Sequence, residues 1–125
     1  MPVSIPISIE RLTVAALIAA AGIGLGAFGA HGLEPQLVAN DSVDTWDTAV
    51  LYHLAHAVAL FVLAVNADKV ASKWAFRLWV AGILLFSGSL YALALTKWSL
   101  LGPVTPLGGV AFIAGWISVI FENRK

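Results

Sequence analysis

Three histidines lie in or beside apolar stretches of the sequence, where ionisable side chains are rare. His31 ends the first apolar run, while His53 and His56 lie inside the second run, three residues apart and so on one helical face. Imidazole binds metals, ligates haem and exchanges protons near neutral pH. Because an ionisable side chain at membrane depth is a functional candidate by default, the three histidines are candidate ligands of a metal or haem.

Other polar side chains fall at the same predicted depth as the histidines. The candidates for this polar layer are His31, Tyr52, His56, Ser87, Tyr91 and Thr105. Tyr52 precedes His56 by one helical turn, and Ser87 shares a helical face with Tyr91. Such groups serve either as a ligand site or as hydrogen bonds between helices, which contribute about 0.6 kcal/mol each on average in membranes. The sequence leaves both interpretations open.

The start of the last apolar run suggests what such a ligand site would bind. Thr105 followed by Pro106 is typical of a helix N-cap and first helical position. The free N–H groups of that helix start favour an anionic or carbonyl group. With His31 and His56 as donors and Tyr91 nearby, the residues predict a small-ligand or lipid-headgroup site.

Composition indicates an integral membrane protein. The chain has 125 residues, of which 60% are hydrophobic and 11% charged, against about 25% charged in a soluble domain. A zero formal net charge without a basic tract argues against a nucleic-acid partner, and the absence of cysteine excludes thiolate chemistry and Cys-ligated metals. No orienting acid lies within an apolar run to complete a Ser-His-Asp set, so no catalytic residue and no required cofactor is predicted.

Four apolar runs have the length of a membrane span, about 20 residues each. We expect an all-α bundle of four transmembrane helices forming one domain over residues 1–125, with spans at about residues 9–30, 48–66, 74–96 and 101–121. Six of the seven Lys and Arg residues fall on the side that holds both termini, which predicts cytoplasmic termini. Tryptophans fit interfacial belts, with Trp46 and Trp98 at one interface and Trp74 and Trp79 at the other.

Small residues form stripes on the first and last spans. In the first span they recur every three or four residues as Ala15, Ala19, Gly22, Gly26 and Ala30. In the last span they are Gly108, Ala111 and Gly115. Small residues let helix backbones approach closely in lipid, so both faces are predicted to pack inside the bundle, with a homo-oligomer interface as the alternative.

Several motifs together resemble a known family of bacterial membrane proteins. They are GAFGAH at 26–31, YHLAH at 52–56, LFSGSLY at 85–91, TPLGG at 105–109 and the Gly115–Trp116 pair. In their order and spacing they are similar to the YgdD/YwdK-type small membrane proteins, a domain-of-unknown-function family with a eukaryotic transmembrane relative. The resemblance implies about four helices in the bacterial inner membrane and no established activity. His53 departs from the family pattern, in which this position commonly carries an amide.

The predicted function is that of a non-enzymatic accessory or scaffold protein with a polar layer in the outer leaflet. Its expected partners are membrane lipid and either a larger membrane complex or further copies of the chain. The alternatives are the small-ligand or lipid-headgroup site described above and a histidine-ligated metal or haem site. A transporter or channel is a further alternative, although four short helices need an oligomer to enclose a pathway.

Overall fold

The computed structural model describes residues 7–124, and every element within that range is helical. The helices are α1 (Ile9–Ala30), α2 (Glu34–Ala39), α3 (Val43–Val65), α4 (Lys73–Gly82), α5 (Gly88–Thr96) and α6 (Val104–Asn123). A π-helical turn, Ile83–Ser87, joins α4 and α5 into one span, and a 3₁₀ turn, Ser99–Leu101, precedes α6. Four segments are long and apolar enough to cross a membrane, as the sequence predicts.

The boundaries of two spans differ from the sequence predictions. Helix α3 begins at Val43, five residues before the predicted start, because its first turns bury Trp46 while acidic side chains face outward. Helix α6 begins at Val104 with Pro103 as its cap residue, so the prediction of Thr105 as the N-cap is wrong. Thr105 lies in the first turn, where its hydroxyl is free to bond to a neighbouring helix.

Helix α1 packs mainly on α3, and its contact face repeats every seven residues. Its buried positions are Ala15, Gly22 and Gly29. A Cβ atom at Gly22 would lie 2.6 Å from Cδ2 of Leu54, and one at Gly29 would overlap the Trp46 indole. The predicted stripe is therefore wrong at its end, because Ala30 is exposed and Gly29 takes the buried position.

The third span and α6 pack through glycines on both sides of their interface. On α6, Gly108 lies against the backbone of Phe86, and Gly115 lies against the Trp79 indole. On α4, Gly82 lies against the Phe112 ring. At each of these glycines an added Cβ atom would overlap its neighbour on the facing helix. Each of the two helices therefore accommodates atoms of the other.

Side chains of α1 and α6 form hydrogen bonds with the connection between α3 and α4. From α1, Arg11 donates from Nη1 to Ser72 Oγ at 2.9 Å. From α6, Oε1 of Glu122 accepts from the backbone N–H of Trp74 at 3.0 Å, and Asn123 bonds to both the N–H and the carbonyl of Ala71. The beginning of α4 is thus capped by the end of α6.

At the other end of the bundle, the short helix α2 closes the α1–α3 connection. Leu37 of α2 is buried, and Asn40, which follows α2, donates to the carbonyls of Ala94 and Leu95 at the end of α5. Trp98 is exposed at this end, as expected of an interfacial residue, whereas Trp46 is buried. Trp79 is also buried, so two of the four tryptophans assigned to the belts belong to the core.

Candidate functional site

His53 links three helices through both of its ring nitrogens. Nε2 lies 2.8 Å from the carbonyl oxygen of Ile18 on α1, and Nδ1 lies 2.8 Å from the Tyr91 hydroxyl on α5. Because a carbonyl only accepts, the neutral ring carries its proton on Nε2 and accepts from Tyr91 at Nδ1. Gly22 makes this approach possible, since a Cβ atom there would lie 3.2 Å from Nε2.

His56 has both ring nitrogens occupied as well, in the opposite tautomer. Nδ1 donates to the carbonyl of Tyr52 at 3.0 Å, and Nε2 accepts from the indole N–H of Trp116 at 3.1 Å. Its ring stacks on Phe112 at a centroid distance of 3.8 Å. The ring therefore joins α3 to α6 by one hydrogen bond and by aromatic contacts with Phe112 and Trp116.

Two further hydroxyl groups of the predicted layer, those of Ser87 and Thr105, also bond between helices. Ser87 Oγ, which is fully buried in the π-helical turn, donates to the carbonyl of Ala49 on α3 at 2.7 Å. Thr105 Oγ1 lies 2.6 Å from Ser89 Oγ, joining α6 to α5. Tyr52 contributes its ring, which packs against Phe86 at 4.7 Å. Ser87 and Thr105 are thus bonded to groups of a neighbouring helix, whereas Tyr52 contacts its neighbour through its ring alone.

Three of the four predicted ligand residues have separate hydrogen-bond partners. Tyr91 pairs with His53, His56 with Trp116 and Thr105 with Ser89, while His31 is exposed at the end of α1. Each of these hydrogen bonds joins a different pair of helices.

A metal or haem site is also poorly supported by this arrangement. With both ring nitrogens bonded, neither His53 nor His56 offers a free lone pair to a metal or haem iron. Within residues 7–124 no group of three or more His, Cys, Asp or Glu side chains is arranged to hold a metal ion.

Two tryptophans donate a ring N–H to a helix carbonyl beside a glycine, as His53 does. The sequence does not reveal this role. Trp46 donates from Nε1 to the carbonyl of Leu25 at 2.9 Å, over Gly29, and Trp79 donates to the carbonyl of Phe112 at 3.2 Å, over Gly115. In each case a glycine exposes a carbonyl of its own helix to a ring N–H from the facing helix. The seven-residue spacing of Gly22 and Gly29, matched by that of Trp46 and His53, is the sequence signal for this pattern.

The fold and the polar layer define a class: a multi-pass, all-helical membrane protein whose buried polar groups bond to one another. A family model described as "Protein of unknown function (DUF423)" matches residues 25–109, and the chain belongs to that family.

Curated relatives agree with this assignment along nearly the whole chain. The chain is 49% identical over 118 residues to the UPF0382 membrane protein YwdK of Bacillus subtilis (strain 168), covering 91% of this chain and 95% of the relative. It is 41% identical over 116 residues to a UPF0382 membrane protein of Staphylococcus aureus (strain bovine RF122 / ET3-1), covering 91% and 94%. A Haemophilus influenzae UPF0382 membrane protein is 40% identical over 118 residues, covering 93% and 94%. No solved structure matches the chain significantly.

Proposed function

We propose that the protein is a non-enzymatic accessory or scaffold protein of the bacterial plasma membrane. The observation that carries this proposal is that the two buried histidines are fully hydrogen-bonded within the chain. Both nitrogens of His53 and both nitrogens of His56 bond to groups of the same chain. Groups that are already satisfied in this way stabilise a bundle, and they have no free donor or lone pair for a substrate.

A protein partner of such a scaffold would contact the two least buried spans, α1 and α6. Helices α1 and α6 are the least buried of the four spans, and each presents a row of exposed branched side chains. Ile23 on α1 is 64% exposed and Ile113 on α6 is 62% exposed. These two faces are the surfaces through which the chain would contact a larger membrane complex or a second copy.

Site-specific photo-crosslinking tests this proposal in living cells. A photoreactive phenylalanine analogue is placed at Ile23, at Ile113 or, as a matched control on α3, at Val58, which is 61% exposed. An accessory role predicts a protein adduct of one defined mass from α1 or α6, and only lipid adducts from Val58. Lipid adducts alone at all three positions would contradict the proposal, and an adduct of twice the chain mass would identify a homo-oligomer.

The expected topology, with both termini cytoplasmic, has a direct test because the chain lacks cysteine. Single cysteines replace Asp41, in the α2–α3 connection, and Asp68, in the α3–α4 connection. A membrane-impermeant maleimide applied to intact cells should label Asp41→Cys and leave Asp68→Cys unlabelled. Labelling of Asp68→Cys alone would show the opposite orientation.

A further inference from the structure

An apolar groove of about 430 Å³ runs between α1 and the third span, and it has a cationic end. It is lined by Val14, Phe76, Arg77, Val80, Ala81 and Leu84. Arg77 is the charged member of this lining and lies toward the α4 end of the span, where the α3–α4 connection joins the bundle. The remaining lining is aliphatic and aromatic, and such a surface can bind a hydrocarbon chain.

A second guanidinium group, on α1, contacts Phe76, which is one of the residues lining the groove. Arg11 lies over the Phe76 ring at 5.2 Å, and its Nη1 is held by Ser72 Oγ. Arg77 lies over the Trp74 ring at 5.4 Å. Contact with a ring face uses none of the five N–H donors of a guanidinium. Arg77 thus lines the groove and Arg11 contacts its lining residue Phe76, and both guanidinium groups keep N–H donors that these ring contacts do not use.

A second groove, on the α3 side of α1, has the opposite charge. It is lined by Gly26, Asp47, Val50, Leu51, Leu54, Ala55 and Val58 and has a volume of about 560 Å³. Its charged member is the carboxylate Asp47, and no Lys or Arg occurs between residues 12 and 68. Because a carboxylate repels a phosphate, this groove serves as an internal comparison for the cationic one.

We propose that the groove between α1 and the third span binds an anionic phospholipid, with one acyl chain along Val80 and Leu84 and the phosphate on Arg77 and Arg11. Guanidinium forks match phosphate oxygens in geometry and charge, and basic pockets between transmembrane helices bind acidic lipid headgroups. The apolar lining identifies the ligand as a lipid and not free phosphate. This site goes beyond the proposed scaffold function, since it needs no protein partner.

Native mass spectrometry of the purified full-length chain tests the site, with phosphatidylglycerol as the probe and phosphatidylcholine as the reference lipid. We expect a one-to-one phosphatidylglycerol complex that Arg77→Gln weakens roughly tenfold to hundredfold, the effect of losing a charge-assisted hydrogen bond. The matched control is Arg124→Gln, because Arg124 lies near the same end on α6, over Phe121, away from the groove. It should change the affinity less than twofold.

Further measurements distinguish a specific lipid site from non-specific electrostatic attraction. Equal losses in Arg77→Gln and Arg124→Gln, or equal binding of phosphatidylcholine, would overturn the proposal. Binding of sn-glycerol 3-phosphate as tight as that of the lipid would also overturn it, because the acyl chain would then contribute nothing. Ala81→Phe fills the groove without changing charge and should weaken lipid binding. Unchanged lipid binding in a folded Ala81→Phe protein would show that the groove is not the site.

Discussion

Helices α1 and α6 pack against the rest of the bundle in different ways. The buried glycines of α1 face side chains of α3, and α3 contributes no glycine to that interface. The third span and α6 each offer glycines to the other, and at Gly108 the recess receives backbone atoms. A ring at the tip of a side chain can rotate away, whereas a backbone atom moves only with its helix. The α6 interface should therefore tolerate added volume less well than the α1 interface.

The largest effect is expected at Gly108. In Gly108→Ala the new methyl group would lie 2.7 Å from Cα of Phe86 and overlap its amide nitrogen, so α6 must move away from the third span. Overpacking typically costs 1–3 kcal/mol, and with a backbone neighbour we expect about 3 kcal/mol or more. The free energy of unfolding, measured by SDS titration in mixed micelles, checks this. A loss below about 1 kcal/mol would remove the distinction between the interfaces.

An intermediate effect is expected at Gly29 on the α1 side. In Gly29→Ala the Trp46 ring must rotate away and lose its 2.9 Å bond to the Leu25 carbonyl, at a cost of about 2 kcal/mol. A double-mutant cycle with Trp46→Phe should be non-additive, because both changes remove the same hydrogen bond. Additive losses would show that the ring keeps its place and that the cost arises elsewhere.

A smaller effect is expected at His53, and it depends on the replacement. His53→Phe leaves the half-buried Tyr91 hydroxyl without its acceptor and should cost about 1–2 kcal/mol of unfolding free energy. His53→Gln should cost less than about 0.5 kcal/mol, because an amide also carries one donor group and one acceptor. Thermal denaturation of the two variants in detergent compares them. Equal losses would show that ring volume matters and hydrogen bonding does not.

The smallest effect is expected at Gly24, which serves as the control glycine. A Cβ atom at this position meets no other atom within 4 Å. Glycine in a helix interior is less favourable than alanine by roughly 0.5–1 kcal/mol. Gly24→Ala should therefore leave the unfolding free energy unchanged or raise it slightly, and a clear decrease would reveal a partner helix that covers this face.

Much of the fold follows from hydropathy alone, because a membrane span is a long apolar segment. The first span, predicted at residues 9–30, coincides with α1. The predicted start of α3 lies five residues too late, because Asp44 and Asp47 lower the local hydropathy although the same turns bury Trp46. The π-helical turn has no sequence signal of this kind, since it arises where the third span meets the close contact at Gly108.

The polar groups at membrane depth were identifiable from the sequence, but their partners were not. The predicted polar layer omits His53, which departs from the pattern that the family resemblance implies. The structure nevertheless gives His53 one bond as a donor, to Ile18, and one as an acceptor, from Tyr91, and an amide carries the same two functions. Helical periodicity places side chains on a face, but which facing group each one reaches depends on the packing of three helices.

The cap that Glu122 provides to α4 has a consequence for the order of synthesis. Glu122 lies 48 residues after Trp74, whose backbone N–H it accepts. The ribosome therefore makes the third span long before its capping carboxylate exists, and during that interval water or lipid headgroups must satisfy the exposed amide. The amino end of this span reaches its final state only after the last helix has entered the membrane.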